Sequence, residues 1–158
     1  AILMRHDEIP DDLRPLVYDF FFSFSRFEYA LKEARLLKNP EPGANAEPGW
    51  TRFINERKDT YQIGAAGKAL IAANPQRQIV TAADLDFRDV SFNPGASDLE
   101  RVVRLAQTVR NNLFHGGKHG SAYWNDVDRM RLLLETTIAL LDDLADQMGL
   151  SSDYLSEY

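Results

Sequence analysis

Arg110 and His115 stand five residues apart near the end of a helical stretch, with Asn111 directly after the arginine. A guanidinium binds phosphate through a planar fork of donors. An imidazole changes charge near neutral pH and can move a proton. Acid/base capacity beside an anion-binding arginine is the minimum equipment for phosphodiester cleavage. On an ideal helix Asn111 and His115, four apart, share a face. Arg110 and His115 diverge by about 140°. One chain would then present His115 and Asn111 together, with the longer Arg110 reaching in from the side. Two such helix ends crossing at a two-fold axis would surround one phosphate with two arginines and two histidines. The structural alternative is that His115 only caps the last carbonyls while Arg110 is solvated.

Other chemistries fail on residue type. The chain has no Cys, which removes disulfide frameworks, thiolate catalysis and iron–sulfur ligation. Gly64-Ala65-Ala66-Gly67-Lys68-Ala69 resembles a phosphate loop only in part. Gln62 stands where such a loop needs its first Gly, Ala69 stands where it needs Ser or Thr, and no strand pattern precedes it. His115 and His119 have zinc-helix spacing, but Gly116 and Gly117 interrupt them and no third ligand lies nearby. No Gly-x-Ser-x-Gly elbow supports serine catalysis. We expect no metal and no cofactor.

Charge places the interest in the same region. Residues 101–131 hold six basic groups (Arg101, Arg104, Arg110, Lys118, Arg129 and Arg131) against two acidic ones, within a chain of net charge −6. The last 27 residues carry six acids and no Lys or Arg. A positive island on an acidic body suits a local phosphate site better than adhesion along a duplex.

The elements that must position these residues are helical. A chain of 158 residues, 44% hydrophobic and 27% charged, is one domain's worth of globular sequence, read as a single domain over 1–158. Leu13, Val17, Phe20, Phe24, Phe27, Leu31 and Ala34 repeat in threes and fours, predicting a first helix from Pro10 to Asn39, widened by Leu16 and Phe21 and heavily buried. Residues 40–49, with three Pro and two Gly, form a loop. A second helix is expected over Thr51–Ala73. The stretch 75–96 is irregular, with a short extended piece at Gln78–Thr81. Ser97 and Glu100 form a capping box opening a third helix, which Gly116-Gly117 must end. A fourth begins near Asn125 and carries an apolar seam from Val127 to Met148, ending at Gly149. The expected class is all-α, an antiparallel four- to five-helix bundle. No apolar run approaches a membrane span, and the start Arg5-His6-Asp7-Glu8 is unlike a signal peptide, so a cytoplasmic location is expected.

The string Arg110-Asn111-Asn112-Leu113-Phe114-His115 resembles the signature of the HEPN superfamily, an Arg followed by four to six residues and a His, often with a polar residue after the Arg. Its continuation Gly116-Gly117-Lys118 is similar to the form common in bacterial members. The segment from Phe22 to Lys32 is similar to the first helix of the group. The resemblance implies a HEPN-like four- or five-helix bundle that dimerises, with motif helices meeting in a shared cleft. Many members are metal-independent endoribonucleases acting as toxins or defence components; others bind RNA, nucleotides or proteins without cleaving. By that resemblance Arg110 and His115 match the catalytic pair and Asn111 the polar residue after the Arg. Glu28 matches an acidic residue that orients the pair in some members. The expected substrate-contacting set is Lys118, His119 and Arg104 of the positive island, together with Glu28. The expected activity is RNA cleavage by 2′-OH attack, leaving a 2′,3′-cyclic phosphate. Expected partners are RNA, a second copy in a homodimer, and an antitoxin or nucleotidyltransferase-type protein. A non-catalytic module that binds RNA, a nucleotide or a protein is the alternative reading.

Overall fold

The first helix stops where its apolar repeat must turn inward. In the computed structural model, which describes residues 9–116 and 126–156, α1 runs Leu13–Glu33 and buries Leu13, Phe20, Phe24, Phe27, Ala30 and Leu31. It ends six residues before the expected Asn39. Arg35 adopts a left-handed conformation (φ 60°), and Leu36 N–H donates to the Leu31 carbonyl at 2.9 Å. This closure is a Schellman-type cap with arginine in the position glycine usually takes. It buries Leu36, which a continuing helix would have carried outward. Phe21 stays exposed rather than widening the buried stripe.

The second expected helix is two. Helix α2 (Trp50–Arg57) and helix α3 (Ala65–Ala73) are separated by residues 58–64. The exposed backbone of that connection finds side-chain partners. Gln147 accepts from Gln62 N–H at 3.0 Å and donates to the Gln62 carbonyl at 2.9 Å, so the backbone groups of Gln62 stay paired where the chain leaves helical geometry. Tyr61 turns inward here. Burial, and then the carboxylates of Asp143 and Asp98, push its phenol up to about 12. The irregular stretch contains an antiparallel hairpin, β1 (Arg77–Val80) and β2 (Leu85–Arg88), with Val80 opposite Leu85. Asn74 and Gln76 side chains donate to the Asp89 carboxylate and hold its carboxyl below the usual range, with Gln76 the stronger.

Helix α4 (Asp98–Phe114) opens as the capping box requires, Ser97 Oγ accepting from Glu100 N–H at 3.1 Å. Helix α5 (Val127–Gln147) is capped by Asp126, which accepts from Arg129 N–H at 3.0 Å; the expected cap Asn125 lies outside the described residues. Gly149 (φ 70°) ends it, and a short helix that periodicity did not predict, α6 (Ser151–Leu155), folds back. Arg26 of α1 holds the end of α6 by donating to the carbonyls of Asp153, Tyr154 and Ser156. Tyr154 donates to Asp142 at 2.7 Å, and burial followed by that bond raises its phenol.

Helix α5 is the central element: α1 and α3 pack along it, α4 contacts it, and α2 lies on α4. The seam expected from Val127 to Met148 is spent inside this one chain, with Met130, Leu134, Thr137, Leu141, Leu144 and Met148 all buried. It therefore lends no support to a two-fold contact. The fold is mostly helical with one small sheet. No described helix is long and apolar enough to cross a membrane.

Candidate functional site

Helices α1 and α4 meet so that one face of each walls an open cleft of about 530 Å³. From α1 it receives Phe21, Phe24, Ser25, Glu28, Tyr29 and Lys32, and from the end of α4 Arg110, Asn111, Phe114 and His115. The α1 spacing of three and four, and the four-residue step from Arg110 to Phe114, put these side chains on facing stripes.

Arg110 is fixed from two directions. Its Nη1 donates to Glu28 Oε1 at 3.1 Å, and its guanidinium carbon sits 5.1 Å from the centre of the Phe24 ring. The other Glu28 oxygen accepts from Trp50 Nε1 at 3.3 Å. Trp50 is itself clamped, stacked on Phe27 at 5.2 Å between ring centres. A chain of contacts thus runs from the core through Trp50 and Glu28 to the arginine. Both side chains of the ion pair are 26% exposed, so the pair is partly desolvated while one side of the guanidinium remains open to the cleft. Nη2 also lies 3.4 Å from Asn111 Oδ1, a weak contact. A guanidinium held this way cannot swing freely and presents its remaining donors at a fixed place.

His115 is the C-cap of α4, with φ −92° and ψ 4°, and its N–H donates to the Asn111 carbonyl at 2.9 Å. Its side chain is exposed and makes no hydrogen bond to any described residue. His115 and Arg110 diverge around the helix, yet a cleft this open admits both. Both line the same cleft within one chain.

The remaining expected residues divide. Glu28 is in the cleft. Arg104 is not: it donates to Gln107 at 2.8 Å and Thr51 at 3.1 Å and lines two neighbouring grooves, one of which shares Asn111 with the cleft. Lys118 and His119 lie outside the described residues. The positive island is contiguous in sequence and scattered in space. Arg129 caps the carbonyls of Ala73 and Asn74, Arg131 pairs with Asp12 and Asp128, and Arg101 lies over the Phe92 ring. Of the six, only Arg110 lines this cleft among the described residues, and its cationic neighbour there is Lys32, from the far end of α1. Sequence reasoning missed Lys32, Phe24 and Trp50. Glu28, Lys32 and Phe24 share one helical face, which spacing could have signalled, but nothing local marks Trp50 as the partner of Glu28. Among the described residues no three His, Asp or Glu side chains converge as a metal-ligand group.

Comparison with protein-family models, with curated proteins and with solved structures found no match for this chain.

Proposed function

We propose that the protein is an endoribonuclease of the HEPN type that works without a metal. The observation that carries this reading is the fixed placement of Arg110, held by Glu28 over Phe24, in a cleft that His115 and Asn111 also line. The resemblance of the Arg110–His115 string to the superfamily signature points the same way. A phosphodiester seated in the cleft meets guanidinium donors on one side and an imidazole on the other.

The ribose 2′-oxygen attacks the adjacent phosphorus, the bond from phosphorus to the 5′-oxygen breaks, and the products are a 2′,3′-cyclic phosphate and a 5′-hydroxyl. The proton leaves the 2′-oxygen and one is delivered to the 5′-oxygen, so no water is consumed. His115 carries one of these two proton transfers. Arg110 neutralises charge that accumulates on the phosphoryl oxygens in the transition state, an effect worth roughly 10²–10³ in rate for each donor removed. Glu28 orients Arg110. Because the nucleophile is the 2′-hydroxyl, RNA is cut and DNA is not.

The test is substitution of each motif residue. His115→Ala and Arg110→Ala should each abolish cleavage of labelled RNA while leaving the thermal transition cooperative. Undiminished cleavage by either variant would overturn the assignment. A homodimer with a shared site remains part of the proposal, resting on the family resemblance rather than on the seam of α5.

A further inference from the structure

One wall of the cleft is aromatic and open to solvent. Phe21 of α1 and Phe114 of α4 meet with ring centres 6.0 Å apart and planes tilted by 58°, yet Phe21 is 47% exposed and Phe114 55%. Single exposed aromatic residues are ordinary on protein surfaces. These two are not isolated: they come from different helices, touch each other, and line the same cleft as Arg110, His115 and Lys32. Phe114 directly precedes His115 and lies one helical turn beyond Arg110, about 6 Å along the axis. The neighbouring Phe20, Phe24 and Phe27 are buried, so α1 has rings enough for its core and still turns Phe21 outward.

A flat ring with a free face beside fixed cationic donors is the arrangement by which proteins hold unpaired nucleotides, stacking the base while the backbone phosphate meets the cation. We infer that Phe21 and Phe114 form a stacking shelf for a base flanking the phosphate at Arg110, which makes unpaired RNA the substrate class. Inside a duplex both faces of each base are covered by neighbours, and away from its ends such a shelf has nothing to take. Charge complementarity favours a nucleic-acid strand over a second protein here. The cleft that the rings line also holds Lys32 and Arg110 against one carboxylate, Glu28, which is committed to Arg110, whereas the central part of a protein–protein interface is depleted of charge. The inference takes its ligand from the ribonuclease reading, but its test does not depend on cleavage.

The probe is a short, labelled 2′-O-methyl oligoribonucleotide, which cannot undergo 2′-OH attack, so anisotropy reports binding alone. The single strand should bind about tenfold more tightly than a blunt duplex of the same sequence. Phe21→Ala and Phe114→Ala should each weaken single-strand binding, by about 5- to 150-fold for loss of one stacked base. Phe21→Leu, which keeps apolar bulk and loses the ring, should weaken it too. Phe22→Ala should not, since Phe22 lines a different groove with Arg26 and Tyr154. All the substituted rings are exposed, so the variants should keep the wild-type melting temperature. Equal binding of duplex and single strand, wild-type affinity in Phe21→Ala and Phe114→Ala, or full rescue by Phe21→Leu would overturn the shelf. So would an absence of binding by the wild type, or a change of molecular mass in Phe21→Ala with affinity unchanged, which would assign the rings to a protein interface. If cleavage proved insensitive to His115→Ala while these binding results held, the ribonuclease reading would fall and the shelf would stand.

Discussion

Removing Glu28 should be felt first as lost stability and then as a misplaced Arg110. The carboxylate takes one hydrogen bond from Arg110 at 3.1 Å and one from Trp50 at 3.3 Å. Exposed ion pairs contribute about 0–1 kcal/mol, whereas breaking a fully buried pair costs about 3–5 kcal/mol. At 26% exposure of each side chain the contact lies between these limits, and Glu28→Ala also leaves the indole N–H of the buried Trp50 without its acceptor. A loss of about 2 kcal/mol follows, or about 4–8 °C in Tm for a chain of this size. The assay is a double-mutant cycle in urea with Glu28→Ala, Arg110→Ala and the double variant, which isolates the pair from the tryptophan contact. The expected coupling is about 1–2 kcal/mol. Cleavage by Glu28→Ala should fall by less than by Arg110→Ala, because the guanidinium is still present though no longer held. A coupling near zero, or Glu28→Ala as stable and active as wild type, would refute the idea that the core positions Arg110 through Glu28.

Gly49→Ala should be among the most damaging small substitutions, since its added carbon would lie 2.5 Å from the Leu37 carbonyl carbon, backbone that cannot yield. A loss of about 3 kcal/mol is expected, read as a lower thermal midpoint with the fold otherwise retained. The Tyr61 hydroxyl is buried with no hydrogen-bond partner among the described residues, so Tyr61→Phe should be neutral or stabilising by up to about 1 kcal/mol. The folded chain also holds this proton more tightly than the unfolded chain, with a phenol pushed up to about 12. Its contribution is therefore full below about pH 10 and lost as pH rises toward 12. Urea midpoints measured across that range should fall more steeply for wild type than for Tyr61→Phe, while an identical slope would contradict the assignment.

Much of what positions the cleft was legible from periodicity and capping. The Ser97–Glu100 box marks the start of α4, and the alternation of threes and fours in α1 and α5 identifies their buried faces. What was not legible depends on contacts distant in sequence. The break between α2 and α3 is satisfied by Gln147, 85 residues away, and no local signal announces it. The early end of α1 rests on Arg35 taking a conformation that favours glycine, so residue type pointed the wrong way. In the cleft, the Arg110–His115 string was visible because its members are adjacent in sequence. The charge count was misleading because Arg129 and Arg131 are spent on a helix end and on acidic neighbours, whereas Lys32 arrives from another helix.

The central claim is most directly tested by the chemistry of the cut ends. Purified protein incubated with labelled RNA in excess EDTA should yield fragments ending in 2′,3′-cyclic phosphate and beginning with 5′-hydroxyl, and the same incubation with His115→Ala should leave the RNA intact. Fragments ending in 3′-hydroxyl with 5′-phosphate, cleavage that stops in EDTA, or no cleavage by the wild type would contradict it.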